Sequence, residues 1–544
     1  MTAAPGQVAP PAALEVYDTT LRDGAQQEGL SLSVVDKLAI ARHLDDLGVA
    51  VIEGGWPGAI PKDTEFFARA AHELSLRHAR LAAFGSTRRA GGRADTDVQV
   101  RALLDSHAPV VTLVAKSHTG HVEKALRTTP AENLQMVRDT VAFLVSEGRE
   151  VVLDAEHFFD GFLLDRAYAL EVLQVAMAAG ARTAALCDTN GGHLPDVVAD
   201  VVADVRAATG ARLGIHCHND TGCAVASTLA AVDAGAEQVQ GTLNGYGERT
   251  GNADLVTVVA NLELKRGRAL LPAGGLAEAT RIAHAVSEIT NVPPYSRQPY
   301  VGASAFTHKA GLHASAIRVD PDLYQHVDPT SVGNDMRMLV SEMAGRASIE
   351  LKGRELGLDL SDPALLVAVA EHVKNREAVG YTYEAADASF ELLVRRVAGG
   401  LGAAAGVPDY FHVDSWRVIT EMQPGARYGG ATSEATVRLV TEGVRRVATG
   451  EGNGPVNALD AALRIVLTPT YPELEQLEVV DYRVRILDAS HGTDAVTRVL
   501  LETAGPTSTW TTVGVGPNIV EASWEALVDG LAYGLLRRGV GSRA

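Results

Sequence analysis

Two histidines one residue apart are well placed to do chemistry in this chain. His216 and His218 stand at the end of a short apolar run, Leu213 to Cys217, whose composition predicts a β-strand. Alternate side chains of a strand project from one face, so both imidazoles should point the same way, with Cys217 directed into the packing. Such a pair can bind one divalent cation, although for the motif alone two hydrogen-bonded histidines are the commoner explanation.

An arginine and an aspartate follow the first predicted strand. Arg22 and Asp23 lie in the stretch Tyr17 to Gln26, directly after the run Leu14 to Tyr17. The pair should therefore occupy the loop at a strand's carboxyl end, where barrel enzymes carry catalytic residues. The structural alternative is an N-cap aspartate and a solvated arginine in an ordinary turn.

The elements that must position these residues follow a repeating pattern. From Leu14 to about Arg268, eight short apolar runs alternate with amphipathic helical stretches, at a spacing of roughly 30 residues that predicts an α/β fold, a (β/α)8 TIM barrel. A doubly wound open sheet is the alternative, but no glycine-rich fingerprint follows the first strand. The predicted strands are Leu14 to Tyr17, Val49 to Glu53, Leu81 to Phe84, Val110 to Val114, Val151 to Ala155, Thr183 to Cys187, Leu213 to Cys217 and Gln238 to Gly241.

The rest of the chain divides into a mostly helical linker region and a C-terminal α/β domain. An internal repeat at an offset of 64 residues relates Gly450 to Leu463 with Gly514 to Leu527, which indicates a ligand-sensing or dimerising domain. The Gly-x-Gly pairs of the repeat favour close helix packing over phosphate binding. The expected domains are a disordered tail (1–13), the barrel (14–285), linker subdomains that complete the active site (286–405) and the C-terminal domain (406–544).

Composition excludes several classes of partner. The net charge of -19 over 544 residues argues against nucleic acid and anionic membranes. The three cysteines, Cys187, Cys217 and Cys223, are too few for a disulfide framework and indicate reduced thiols in a cytoplasmic protein. No run of eighteen apolar residues occurs, so no membrane-spanning helix is expected.

Barrel closure predicts where the polar motifs meet. The first, seventh and eighth strands are neighbours in a closed barrel, so Asp23, His216, His218 and Asn252 should face one spot. This mixed nitrogen and oxygen set suits Mn²⁺ or Mg²⁺, with Zn²⁺ or Co²⁺ as further possibilities. Two open coordination positions would allow a 2-oxo acid to chelate the ion.

Three motifs resemble those of a known enzyme family. Asp18 to Gly24, His216-x-His218 and Gly247 to Asn252 are similar to motifs of the metal-dependent acyltransferases that join acetyl-CoA to 2-oxo acids, the 2-isopropylmalate, homocitrate and citramalate synthases. The resemblance runs from about residue 14 to the end of the chain. Ile52 to Gly58 and Asp154 to Gly161 resemble the citramalate synthase branch.

The resemblance implies a role for each candidate residue. Asp23, His216, His218 and Asn252 would bind the metal, Arg22 would stabilise negative charge on the oxo acid, and Thr189 would contact its carboxylate unless it caps the following helix. Glu156, His313 and Tyr324 would share the proton transfers, although Tyr324 could also be a core or interface tyrosine. In this family the histidine that corresponds to His313 is supplied across the subunit interface. Acidic residues common in relatives are replaced here by His157 and Ser315.

The expected activity is therefore an acyl transfer from acetyl-CoA to pyruvate that gives (R)-citramalate, in isoleucine biosynthesis. The resemblance further implies a homodimer and a C-terminal domain that binds an amino-acid effector, isoleucine in the first instance. The alternatives are 2-isopropylmalate or homocitrate synthase, a retro-aldol metal lyase on the same barrel, and an inert metabolite sensor.

Overall fold

The computed structural model describes residues 14–340, 346–401, 406–422, 431–487 and 495–542. The predicted tail, 1–13, lies outside the described residues, as do residues 402–405 at the end of the predicted linker region. The chain forms two compact units. The first runs to Phe306 and includes Val327–Asp335, and the second comprises Thr307–His326 and the chain from Met336 onward.

The first unit contains a closed barrel of eight parallel strands, in which each strand pairs with its neighbours in sequence and β1 pairs with β8. This topology confirms the predicted TIM barrel and excludes the open sheet. The strands are β1 (Glu15–Asp18), β2 (Val51–Gly55), β3 (Arg80–Ser86), β4 (Val110–Lys116), β5 (Glu150–Glu156), β6 (Thr183–Asp188), β7 (Leu213–Cys217) and β8 (Gln238–Gly241).

Helices surround the barrel and bury its outer face. The first shows how local sequence sets their ends: Ser33 and Asp36 form a capping box, and Gly48 ends the helix in the left-handed conformation, with φ 96°. The helices are α1 (Val34–Leu47), α2 (Pro61–Glu73), α3 (Val98–Asp105), α4 (Thr119–Lys124), α5 (Pro130–Ser146), α6 (Phe158–Leu164), α7 (Arg166–Ala178), α8 (Pro195–Thr209), α9 (Ala224–Asp233), α10 (Leu255–Leu264) and α11 (Ala279–Thr290).

The second unit begins with elements that the sequence predicted only in part. The predicted linker region, 286–405, is mostly helical over its described residues, as expected. Two very short parallel strands were missed, because two residues are too few for a recognisable period. These elements are β9 (Thr307–His308), α12 (Gly311–Val319), β10 (Arg337–Met338), α13 (Arg346–Glu355), α14 (Pro363–Ala378) and α15 (Asp387–Gly400).

The C-terminal part of the second unit confirms the internal repeat. Each copy is a three-stranded antiparallel sheet followed by a helix. A Cβ atom at Gly450 or Gly514 would collide with the backbone of the helix packed on its strand, so these glycines serve close packing as expected. The elements are β11 (His412–Met422), β12 (Ala431–Thr441), β13 (Val444–Gly452) and α16 (Pro455–Leu467), then β14 (Glu478–Ile486), β15 (Thr497–Ala504), β16 (Thr509–Gly516) and α17 (Ile519–Arg537).

Two expectations from composition can be compared with the structure. Cys187, Cys217 and Cys223 are free thiols, and the first two are buried. Across the described ranges, every helix is too short or too polar to cross a lipid bilayer.

Candidate active site

Three predicted metal ligands converge at the carboxyl ends of β1 and β7. Nε2 of His216 lies 3.2 Å and Nε2 of His218 lies 3.8 Å from Oδ2 of Asp23. All three side chains are buried, and one ligand atom from each lies within 4.8 Å of the others. Strand alternation puts the two imidazoles on one side, and Cys217 between them is fully buried in the apolar core, as predicted.

Asn252 joins this group through a short backbone pairing. His218 and Asn252 form an isolated β-bridge, which holds the asparagine beside the end of β7. Its Nδ2 donates to the carbonyl of Tyr246 at 3.0 Å. Its Oδ1 is buried and accepts no hydrogen bond from any described residue. A buried amide oxygen without a donor is costly unless something else binds it. The amide oxygen of Asn252 is therefore available as a fourth ligand, beside the two imidazoles and the carboxylate.

The donor set fits a divalent cation. Two imidazole nitrogens, a carboxylate and an amide oxygen suit Mn²⁺, Mg²⁺, Co²⁺ or an open Zn²⁺ site. His216 is oriented for this role, because its Nδ1 lies 3.1 Å from Oε1 of Gln240. Gln240 in turn donates from Nε2 to Oδ1 of Asp154 at 3.0 Å. The amide oxygen can only accept, so Nδ1 carries the proton and Nε2 is left as the ligand atom.

Arg22 is largely withdrawn from solvent, with a side chain that is 12% exposed, and it contacts three neighbouring side chains. Its Nε donates to Oε1 of Glu53 at 2.5 Å, and Nη1 lies 3.4 Å from Oδ2 of Asp23. Its guanidinium carbon lies 3.9 Å from the centre of the Phe84 ring. Tyr17 donates to the other oxygen of Glu53 at 2.7 Å. The alternative of a solvated arginine beside a capping aspartate is wrong, because Asp23 makes no side-chain cap.

A cavity of about 640 Å³ opens over this group. Glu156, at the end of β5, lines it and forms an ion pair with Lys116, at the end of β4. Both strands thus end with a charged side chain at the mouth of the barrel. The lining further includes Arg22, Asp23, Thr189, His216 and His218, so the structure brings together the site residues predicted within the barrel.

Thr189 lines the cavity as predicted but does not cap a helix. The next helix, α8, begins at Pro195, so the capping alternative is wrong. Oγ1 of Thr189 accepts from the backbone N–H of His157 at 2.9 Å. The hydroxyl hydrogen of Thr189 can therefore be donated to another acceptor in the cavity.

His313 and Tyr324 lie in the second unit and contact each other. Their rings stack with centroids 4.1 Å apart and an interplanar angle of 30°. The Tyr324 side chain is 39% exposed, which excludes the alternative of a core tyrosine. An imidazole and a phenol in contact are a pair that can pass a proton.

Comparison with known proteins now places the chain. Residues 13–286 match the "HMGL-like" family model, residues 300–380 the "Homocitrate synthase post-HMGL domain-like" model, and residues 384–535 the "LeuA allosteric (dimerisation) domain" model. An (R)-citramalate synthase of Streptomyces coelicolor is 63% identical over 96% of this chain and 97% of its own length. The chain belongs to the (R)-citramalate synthase family.

Two further relatives of this (R)-citramalate synthase family member are less similar in sequence. An (R)-citramalate synthase of Aquifex aeolicus is 46% identical over 96% of this chain and 98% of its own length. A 2-isopropylmalate synthase of Pyrococcus furiosus is 30% identical over 95% of this chain and 98% of its own length.

Burial shifts the protonation of the acidic groups in this family member. Burial raises the pKa of Asp154 to about 6, and the neighbouring Glu53 charge acts in the same direction. Burial also raises the pKa of Asp18 to about 7, against the lowering effect of its hydrogen bonds from Thr20. Asp23 behaves oppositely: burial alone would raise its pKa, but Arg22 and His216 outweigh that effect and hold the pKa well below its usual range.

The sequence did not predict the residues that hold the predicted site residues in position. Glu53, Lys116, Asp154 and Gln240 are charged or amide residues at the carboxyl ends of apolar strands. The available signal was a polar residue within an apolar strand, at one of the alternate positions whose side chains point into the barrel. This signal was not distinctive enough, because an inward-pointing position does not show which other side chain the residue contacts.

Proposed function

We propose that this protein condenses acetyl-CoA with pyruvate to give (R)-citramalate and CoA. The observation that carries the proposal is the 63% identity to an (R)-citramalate synthase over nearly the whole of both chains. The 2-isopropylmalate synthase is much less similar, at 30%, so pyruvate is favoured over 2-oxoisovalerate. The convergent polar group at the barrel mouth disfavours an inert sensor.

The proposal assigns substrate binding to the residues around the cavity. Asp23, His216, His218 and Asn252 hold a divalent cation, Mn²⁺ or Mg²⁺. When bound, this ion supplies Lewis-acid polarisation of the oxo-acid carbonyl. Arg22 neutralises charge that develops on the carbonyl oxygen, and Glu53 and Phe84 fix it in place beforehand. Thr189 donates its free hydroxyl hydrogen to the oxo-acid carboxylate.

The remaining site residues carry protons. A base removes a proton from the acetyl methyl group, and the resulting carbon nucleophile forms a bond to C2 of pyruvate. An acid protonates the oxygen at C2, and water then cleaves the thioester and releases CoA as a thiol. Glu156, His313 and Tyr324 share these transfers. Lys116 forms an ion pair with Glu156 and so holds its carboxylate in place at the mouth of the barrel.

Each predicted domain has a part in this reaction. The barrel, 14–285, binds metal and oxo acid, and the linker region, 286–405, supplies His313 and Tyr324. The C-terminal domain, 406–544, binds the effector. The protein works in the cytoplasm as a homodimer, and His313 serves the site of the partner subunit. The match to the LeuA allosteric (dimerisation) domain model supports dimerisation and regulation.

A cavity in the C-terminal domain supports an amino-acid effector. It has a volume of about 660 Å³ and lies where α16 and α17 begin, lined by both copies of the repeat. Val479, Ile519 and Leu527 give it an apolar side. Asp460 also lines it: its Oδ2 accepts from Nε of Arg464 at 2.8 Å, and its buried Oδ1 accepts no hydrogen bond within the described ranges. An apolar branched side chain and an ammonium group match these features, so we assign isoleucine as the effector.

The deciding experiment measures thiol release from acetyl-CoA by the purified protein with Mn²⁺ or Mg²⁺. Pyruvate, 2-oxoisovalerate and 2-oxoglutarate are compared at equal concentration. We expect release with pyruvate far above the other two, and (R)-citramalate as the product. Preference for 2-oxoisovalerate or 2-oxoglutarate would make the protein a sister synthase, and no release with any oxo acid would overturn the acyltransferase proposal.

A further inference from the structure

An aromatic wall stands beside Arg22. Trp56 follows β2 and lines the same cavity as the metal-binding group. Its ring meets that of Phe84 edge-on, with centroids 5.2 Å apart and an interplanar angle of 81°. Phe84 covers one face of the Arg22 guanidinium at 3.9 Å. The arginine that would contact the oxo acid therefore lies against the Phe84 ring, and the Trp56 ring packs on Phe84 in turn.

The Trp56 side of this wall is held rigidly. The backbone N–H of Trp56 donates to Oδ2 of Asp63 at 2.8 Å, and the indole N–H donates to Oε1 of Gln99 at 3.0 Å. Asp63 forms a buried ion pair with Lys37, whose ammonium group also donates to the carbonyl of Gly54 at 3.1 Å. Both the main chain and the ring of Trp56 are thereby fixed, and a fixed ring cannot move aside for a larger ligand.

The rest of the cavity lining is mixed. Asp154, Glu156, Thr189 and Arg249 are polar, and the apolar residues of the lining include Val114, Leu126 and Met136. Phe84 is the aromatic residue that packs on the Arg22 guanidinium, so the alkyl group of an oxo acid held by Arg22 would lie beside Phe84 and Trp56, where contact with apolar rings costs no desolvation of polar groups.

We propose that Trp56 is a specificity-determining residue, which limits the alkyl group of the 2-oxo acid to a methyl. This inference rests on the proposed acyl transfer to pyruvate. The ring selects by size: a branched alkyl group would have to overlap the fixed indole, whereas the methyl group of pyruvate fits against it. Discrimination of about 10 to 200-fold for each methylene group is within the reach of such a wall.

The test compares Trp56→Ala and Trp56→Phe with the unchanged protein. For each, kcat/KM is measured with pyruvate, 2-oxobutyrate and 2-oxoisovalerate at saturating acetyl-CoA. We expect the preference for pyruvate over 2-oxoisovalerate to fall at least about tenfold in Trp56→Ala. Trp56→Phe keeps an apolar ring and should retain most of the preference, although it loses the hydrogen bond to Gln99.

Two outcomes would overturn the inference. An equal loss of kcat/KM for all three oxo acids in Trp56→Ala would give Trp56 a structural role only. A raised KM for acetyl-CoA with an unchanged oxo-acid preference would place the indole against the other substrate. Failure of the unchanged protein to use pyruvate would instead refute the proposed function, so the two failures are distinguishable. Thermal unfolding of each variant verifies that it is folded.

Discussion

Nε2 of His216 lies 3.2 Å from Oδ2 of Asp23, in a buried group in which Nε2 of His218 lies 3.8 Å from the same oxygen. Two imidazoles and a carboxylate, withdrawn from water at this spacing, form the polar centre of the barrel. A divalent cation would account for their convergence, and for the unsatisfied amide oxygen of Asn252.

The first prediction concerns this centre. Asp23→Ala or His216→Ala should abolish turnover while leaving the fold nearly intact, because each removes a ligand without disturbing a strand. Calorimetric titration with Mn²⁺ should show lost binding, and circular dichroism should match that of the unchanged protein. Full activity in either purified, metal-exchanged variant would refute the metal assignment.

The second prediction concerns the orientation of His216. Gln240→Leu keeps the size of the side chain but removes the acceptor that fixes the proton on Nδ1. We expect Mn²⁺ affinity to fall by about 10 to 100-fold, as is typical when a residue that orients a metal ligand is lost. Calorimetric titration of the metal-free protein with Mn²⁺ measures this affinity directly. Unchanged affinity would mean that strand geometry alone orients the imidazole.

The third prediction concerns the buried ion pair between Lys37 and Asp63. Lys37→Met should lower the free energy of unfolding by about 3 to 5 kcal/mol, because Asp63 is left as a buried, uncompensated charge. The double variant Lys37→Met, Asp63→Asn should recover part of the loss, since it removes that charge. Urea unfolding of the three proteins compares them. Equal stability of the single variant and the unchanged protein would contradict the prediction.

The fourth prediction concerns pH. Burial raises the pKa of Asp18 to about 7, so the folded protein keeps this proton at pH values where the unfolded chain has lost it. The free energy of unfolding should therefore fall as pH rises from about 4 to about 7, by at most about 1.4 kcal/mol per pH unit from this group. In Asp18→Asn this part of the slope should vanish. An identical pH profile would show that Asp18 stays ionised throughout.

The fifth prediction concerns regulation. Asp460→Asn keeps the shape of the side chain but removes the charge that faces the C-terminal cavity. Inhibition by isoleucine should weaken by at least about tenfold, since the ammonium group loses the carboxylate charge at Oδ1, the oxygen that Arg464 does not occupy. Activity without isoleucine should be unchanged. Activity is measured against isoleucine concentration for Asp460→Asn and for the unchanged protein. Equal inhibition curves would mean that the effector does not bind beside Asp460.

Much of the fold and part of the site could be read from the sequence. Alternating apolar runs and amphipathic stretches determined the barrel, because a strand and a helix bury their residues with different periods. His216, His218 and Asp23 were predicted to meet, since barrel closure makes the first and seventh strands near neighbours. The internal repeat predicted two equivalent α/β units, and the structure confirmed both.

Only the tertiary structure decided how the site is supported. Arg22 binds Glu53 from the next strand, His216 is oriented by Gln240 from the eighth, and Thr189 accepts from the main chain of His157. His157 itself has a left-handed backbone conformation, with φ 54°, which its residue type did not predict. The sequence supplied the residue types and the side of each strand. The partner of each side chain depends on strand stagger and loop conformation, which are set when the whole barrel packs.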